Sequence, residues 1–465
     1  MYKEENNPDK EKNISGGEKN ELKPLPTTSL FGREWDVRFD EPELTSDAGL
    51  AALVSSGIAD RLLGQLAGAI DDPRKSAIHS IEQLIRQRVF LIAGGYYDAN
   101  DSNFMRDDVV MRTASGKELD EGGLASQPTI SRLEGSVSKK DLLRIARVIF
   151  NDYLDSFDGK APKLICIDMD PSAHLVYGQQ QLGLFNTHVG DYCMMPFYIF
   201  DGINGKIMTA SLRPGKTPTA PEIIAIVKRL VKAIRERFPK TIITFRADSH
   251  HTKPAVIDFF EEHDVEFITG LVTNEVLEML FAEDIAQAKE RYDRRKNYDK
   301  ETKEITVYAD DFYAAGTWSK ERRVIARIIA GPQGVDVRYV VTSYEKAGAK
   351  YLYNVVYCGR GEAELFIKEC KHGLGSDTSH CQKATANQFR LLLHAVTYAI
   401  LHRFRSTVLK GTQWERKTFA EIRLRLFKGR WASSSHEDEG APPFGYALEA
   451  SHRVIWERCV QPALQ

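Results

Sequence analysis

The chain has 465 residues, 42% of them hydrophobic and 28% charged, with a formal net charge of -2. Such a length can bury a large core and predicts roughly two to four domains. The near-neutral balance excludes a global attraction to polyanions, so any nucleic acid must be met by local basic patches.

Cys166, Cys193, Cys358, Cys370, Cys381 and Cys459 form no C-x-x-C pair, which argues against a zinc finger and a redox dithiol and fits a reducing cytosol. No apolar run approaches the roughly eighteen residues of a membrane span, and the polar N-terminus lacks the apolar centre of a signal peptide.

Residues 1–40 begin with Lys, Glu, Asn, Gly and Pro and almost no large apolar side chains, the composition of a disordered arm and lead-in. Helical periodicity follows over 48–67, 76–93 and 138–150, predicting a helical domain across 41–155. Lys163-Leu-Ile-Cys-Ile-Asp-Met-Asp170 then reads as a buried strand. Strands are expected over 192–200 and 206–212, joined by the glycine-bearing loop Asp201-Gly-Ile-Asn-Gly205. A helix over 221–238, a strand over 241–247 ending at Asp248, a helix over 254–263 and a strand over 266–272 complete the series. Three strands, helix, strand, helix, strand is the order of an RNase H core, so residues 156–272 are expected to be its first part.

Between 273 and 350 a charged helical stretch gives way to strand-like runs at 304–317, 323–330 and 335–343, punctuated by Gly331-Pro-Gln-Gly334; an inserted, mainly β subdomain is expected. Helical periodicity resumes at Arg360, and 384–404 is apolar on nearly every face, as a helix backing the sheet would be. Residues 351–407 are thus the expected second part of the core, and 408–465 a basic helical C-terminal region.

Chemistry concentrates in Tyr357-x-x-Arg360-x-x-x-Glu364-x-x-x-x-x-x-Lys371. At about 100° per residue these four side chains share a stripe roughly 60° wide. A carboxylate beside two cations and a phenol suits a phosphate backbone: the carboxylate takes a divalent cation and the others take flanking phosphates. Glu362 and Glu369 turn away from this stripe and are expected in solvent. His250 and His251 are expected to be ordinary loop residues, since hard oxygen ligands suit magnesium.

This spacing resembles the Y-R-E-K signature of DDE insertion-sequence transposases, and other segments resemble the insertion sequence 1380 group. They are Leu44-Thr-Ser-Asp-Ala-Gly-Leu50, Ala93-Gly-Gly-Tyr-Tyr-Asp-Ala-Asn-Asp101, Leu124-Ala-Ser-Gln-Pro-Thr-Ile-Ser-Arg-Leu-Glu134, Phe245-Arg-Ala-Asp-Ser249, Arg360-Gly-Glu-Ala-Glu364 and Ala386-Asn-Gln-Phe-Arg-Leu391. The likeness runs in order from about position 41 to position 430.

The resemblance implies Asp170, Asp248 and Glu364 as the catalytic, metal-binding acids. Strand alternation leaves Asp168 as a rival for the first, and Asp248 could instead cap the next helix. It also implies two magnesium ions, with manganese as a substitute, about 3.5 to 4 Å apart. The implied activity is cleavage of terminal inverted repeats and strand transfer to target DNA, in a prokaryotic, cytoplasmic, nucleoid-associated protein pairing two ends as a homodimer. A nuclease without strand transfer, or a domesticated DNA-binding protein with vestigial acids, is the alternative.

DNA contacts are expected where cations gather. Residues 403–430 hold nine Lys or Arg, Arg423 and Arg425 among them, against Glu415 and Glu421, an excess of seven. Ser126-Gln-Pro-Thr-Ile-Ser-Arg132 resembles the start of a helix-turn-helix recognition helix, placing Gln127, Thr129 and Arg132 at base edges. Trp318 is a candidate for stacking on a flipped base, as related enzymes are thought to place an aromatic near the cut, with strand core as the plainer role.

Overall fold

The computed structural model describes residues 44–428 except 119–120 and 300–302, with backbone at 28–30, 33–35 and 431–432 and the residues Ile455, Arg458 and Cys459. The expected disordered arm and most of the C-terminal region beyond 428 lie outside the described residues.

Seven helices come first: α1 (Leu50–Ser55), α2 (Asp60–Gly68), α3 (Ile81–Gly94), α4 (Asp101–Phe104), α5 (Val109–Ala114), α6 (Gln127–Ser136) and α7 (Lys139–Asp155). The helix expected over 48–67 is two helices, parted at Gly57, whose φ of 65° is a left-handed value that glycine adopts without a Cβ clash. Reciprocal capping boxes start α3, between Ser80 and Gln83, and α7, between Ser138 and Asp141.

The sheet strands are β1 (Leu164–Pro171), β2 (Phe197–Asp201), β3 (Ile207–Ser211), β4 (Ile242–Ala247), β5 (Glu266–Leu271), β6 (Ile305–Tyr313), β7 (Arg322–Gly331) and β8 (Gly334–Thr342). Their spatial order is β6-β7-β8-β5-β4-β1-β2-β3. β1, β4 and β5 run parallel, and every other pairing is antiparallel. The strand expected over 192–200 is two pieces. Asp191–Met194 pairs with His174–Leu175 and Leu184–Asn186 in a small separate sheet, and only Phe197–Asp201 joins the central one. Pro196 stands between them without the N–H that an uninterrupted ladder requires.

α8 (Ala220–Arg237), α9 (Pro254–Glu262) and α11 (Ala282–Tyr298), the last preceded by α10 (Glu275–Leu280), cover one face of the sheet. There Ile165, Ile167, Phe245, Phe267 and Val341 meet Val227, Phe260 and Ala288. The other face receives a helical run over 349–373 and the long helix Ala384–Thr407.

Two expected boundaries are not packing boundaries. β8 pairs directly with β5, so the predicted β insertion extends the central sheet rather than standing apart. The core of the N-terminal helices is continuous with that of the later chain: Leu62, Phe90, Ile130 and Ile149 share one cluster with Tyr198, Phe200, Phe389 and Leu401. Within it Glu134 of α6 is buried between Arg88 of α3 and Arg390 of the long helix, both at 3.3 Å. Among the described residues no helix is long and apolar enough to cross a membrane.

Candidate active site

Parallel pairing of β1 with β4 sets Arg246 opposite Asp168. Asp170 and Asp248 each follow two residues later, at the C-terminal ends of the strands, close enough for the Asp248 charge to act on Asp170. Asp168 and Asp170 share a face by strand alternation, the one covered by the 349–373 run.

Asp168 is fully buried and takes two bonds from one guanidinium, Arg246 Nε to Oδ1 at 2.7 Å and Nη2 to Oδ2 at 2.6 Å. Arg246 also donates to the Val356 carbonyl at 2.8 Å, fastening the 349–373 run to β4. No side chain fits beside this pair: a Cβ on Gly202 would lie 2.1 Å from Asp168 Oδ2, and one on Gly359 2.5 Å from Arg246 Nη1. Burial raises the Asp168 carboxyl above its ordinary value, with Arg246 pulling the other way.

Asp170, also buried, accepts from Arg360 Nη1 at 3.1 and 3.0 Å through its two oxygens. Burial pushes this carboxyl up to about 6; the Arg360 charge opposes the shift and the nearby Asp248 charge reinforces it. The same guanidinium reaches Glu364 through Nη2 at 3.3 Å, from a side chain otherwise in solvent. Arg360 therefore joins the first and third candidate acids.

Asp248 caps the turn Ser249–His251, accepting from the His250 backbone N–H at 3.0 Å. Both imidazoles bond it as well, His251 Nδ1 to Oδ1 at 2.9 Å and His250 Nδ1 to Oδ2 at 3.0 Å. Burial works against ionisation here, but the two histidines outweigh it and hold the carboxyl well below the usual carboxylate range. The expectation that both are ordinary loop residues is corrected: each is a partner of the second acid, and His251 is wholly buried.

The expected α-helical stripe is corrected too. The 349–373 run passes through a π-helical stretch at Leu352–Tyr357, a tight turn at Cys358–Arg360, regular α-helix at Gly361–Lys368 and a second π stretch at Glu369–Gly373. Wide turns reset the face, so the signature side chains meet the sheet through separate contacts. The Tyr357 hydroxyl rests where a Cβ on Gly270 would stand 2.9 Å away, and Lys371 Nζ donates to the Ala173 carbonyl at 2.9 Å. Glu362 is exposed. Glu369 is not in solvent: it accepts from the Phe419 N–H at 3.0 Å at the start of helix Phe419–Ile422, and burial raises its carboxyl.

Among the described residues no three His, Cys, Asp or Glu side chains are already gathered to hold a metal ion. The donor set nevertheless suits a hard divalent cation, being three carboxylates. The positive charge between two of them is the Arg360 guanidinium.

The expected DNA contacts fare unevenly. Arg132 is exposed at α6, where it donates to Thr129 at 3.2 Å, and Gln127 bonds Ser131 at 2.9 Å. α5 ends at Ala114, however, so the three- or four-residue turn of a helix-turn-helix is absent before Gln127. Arg423 points inward: Nε donates to the Ala93 carbonyl at 2.9 Å, Nη1 to the Tyr97 hydroxyl at 2.6 Å and Nη2 to the Gly373 carbonyl. It is a strut between α3 and the 349–373 run, unlike the exposed Arg425. Arg403 pairs with Asp152, Arg405 with Glu369, Lys417 with Glu421 and Lys428 with Asp47, so much of the basic excess is met internally.

Trp318 is on the wrong side of the sheet for the role proposed for it. β7 pairs Arg323 with Thr342, which pairs with Ile268 near the start of β5, so the 314–321 loop lies beyond the N-terminal ends of the parallel strands. Asp170 and Asp248 lie at the opposite ends. Trp318 instead stacks edge-on against Tyr313 at 5.4 Å, with the Arg322 guanidinium over its ring.

Sequence reasoning missed Arg246. Its signal was present: a lone cation inside the apolar run Ile242–Ala247 needs a buried counter-charge. The histidine pair left no comparable trace.

The sequence matches the family described as transposase DDE domain group 1 over residues 27–429, and the chain belongs to that family. A comparison with curated proteins returns no match. Among solved structures, the cryo-EM structure of piggyBac transposase synaptic complex with hairpin DNA is similar at 10% identity, with a TM-score of 0.41. It covers 82% of this chain and 79% of that one.

Proposed function

We propose that the protein is a metal-dependent transposase of the insertion sequence 1380 group that binds terminal inverted repeats, cuts at them and joins the freed ends to target DNA. The observation that carries this reading is Arg360, bonded to Asp170 and Glu364 and close enough to Asp248 to feel its charge. The sheet order, with antiparallel β2 and β3 outside parallel β1, β4 and β5, supports an RNase H-like core for residues 156–272 and 351–407. Residues 41–155 are assigned to DNA binding, 273–350 to the insertion and 408–465 to a C-terminal basic region.

Asp170, Asp248 and Glu364 are the residues that would hold magnesium or manganese, two ions per site. When bound, the metal supplies charge that stabilises the attacking and departing oxygens of an in-line phosphodiester displacement. The remaining work falls to the chain. Asp248 stays ionised under its histidines, and Arg360 exchanges its carboxylates for a phosphate of the bound strand. Tyr357 and Lys371 hold the neighbouring phosphates, while Arg425, Arg132, Gln127 and Thr129 meet DNA further away. Pairing two ends calls for a homodimer, working in the cytoplasm at the nucleoid.

The test mixes the purified chain, magnesium and DNA bearing candidate ends, and compares wild type with Asp248→Asn and Glu364→Gln. Both variants should bind the ends and cut nothing. Cleavage surviving in either removes that residue from the site, and nicking without strand transfer by wild type reassigns the protein as a nuclease.

A further inference from the structure

We infer that His250 and His251 are positioning residues that clamp the Asp248 carboxylate in one orientation, so that a single lone pair on Oδ2 is left for a divalent cation. The inference rests on the reading of Asp248 as a metal ligand and adds to it two residues outside the carboxylate set.

Asp248 stands past the end of β4 on a three-residue turn, where backbone alone leaves its carboxylate free to rotate. Three donors remove that freedom. His251 Nδ1 at 2.9 Å and the His250 N–H at 3.0 Å both reach Oδ1, taking its two lone pairs. His250 Nδ1 reaches Oδ2 at 3.0 Å and takes one of its two.

The clamp has a fixed jaw and a movable one. His251 is 0% exposed, with Phe197 and Phe245 rings centred 5.7 and 6.1 Å from its own, so the imidazole cannot swing. His250 lies in solvent and closes from outside.

Only one of the two ring nitrogens of His251 is used, the Nδ1 that faces Asp248. Its Nε2 is buried without a hydrogen-bond partner among the described residues, an arrangement that costs about 1–3 kcal/mol. An apolar ring would fill the same space between Phe197 and Phe245 without that cost. What an apolar ring lacks is the N–H aimed at Oδ1, so orientation of Asp248 is what the histidine supplies. Partners of this kind, one step removed from a metal, typically change its affinity about 10–100-fold when removed.

The test titrates Mn2+ into the full chain, follows the free-ion EPR signal and checks each variant by thermal melting. His251→Phe should bind Mn2+ about 10–100-fold more weakly, and His250→Ala about 3–10-fold more weakly. His251→Asn, which restores an amide N–H near the Nδ1 position, should recover most of the loss, a rescue that a purely space-filling role does not give. Asp248→Asn is the reference. If it leaves Mn2+ affinity unchanged, the ligand reading of Asp248 falls and the clamp with it. If Asp248→Asn weakens binding while folded His251→Phe and His250→Ala bind as wild type, the clamp alone is refuted. An Asn variant as weak as the Phe variant also refutes it. Should His251→Phe not fold, wild-type affinity in His250→Ala, whose side chain lies in solvent, is enough to overturn it.

Discussion

Asp170 and Asp248 are neighbours with opposite protonation behaviour, and the cause is what surrounds each. Asp170 is enclosed and faces a single guanidinium; Asp248 has histidines on both oxygens. Asp170 holds its proton more tightly folded than unfolded, so ionising it costs the fold. Its contribution to stability is whole below the unfolded value of 3.8 and is lost as pH rises through about 6. The loss is on the order of 3 kcal/mol at about 1.4 kcal/mol per pH unit. Asp170→Asn should therefore gain stability relative to wild type as metal-free protein is taken from pH 4 to 7, measured by urea unfolding at each pH. A constant difference between the two proteins across that range refutes the assignment. The variant should also fail to cut DNA, so the gain in stability comes with loss of function.

At the scale of elements, the joint between β1, β4 and the loop after β2 is the most constrained place in the sheet. A methyl group on Gly202 has nowhere to go except into the Asp168–Arg246 pair. Gly202→Ala should cost roughly 3 kcal/mol or more, the range for prising apart a buried ion pair, read as a shift in the denaturant midpoint. A shift below about 1 kcal/mol would show that the pair moves aside freely. Trp318→Ala offers the contrast. It should lower stability modestly and leave strand cleavage as in wild type, since the loop lies at the far end of the sheet; a cleavage defect at full folding returns Trp318 to the site.

Most strands of the central sheet were legible as short apolar runs, though not those of the small separate sheet, and period-two alternation put Asp168 and Asp170 on one face. What the sequence did not carry was register between strands far apart in the chain. That register gave Arg246 to Asp168, left Asp170 to Arg360, and placed Trp318 away from the carboxylates. The signature helix misled for a local reason: its two π stretches do not follow the regular period on which the stripe was drawn. Glu369 was assigned to solvent from regular helical geometry and Arg423 to DNA from local charge, yet each is committed to backbone groups of a neighbouring element.

For the whole molecule, the common interior of the N-terminal helices and the long helix Ala384–Thr407 governs how the chain can be cut. Removing residues 44–155 strips Phe389, Leu401 and Phe404 of their cover, several side chains each worth about 1.5–3 kcal/mol when buried. A fragment starting at residue 156 should aggregate or melt without a cooperative transition. A soluble, cooperatively folding 156–465 fragment contradicts the shared interior. The same architecture bears on re-targeting. Replacing the first third with a foreign domain would open the interior that the later helices share, so changes to the proposed DNA-reading surface are to be made as point substitutions on the outer face of α6, around Arg132, with its inward Glu134 left in place.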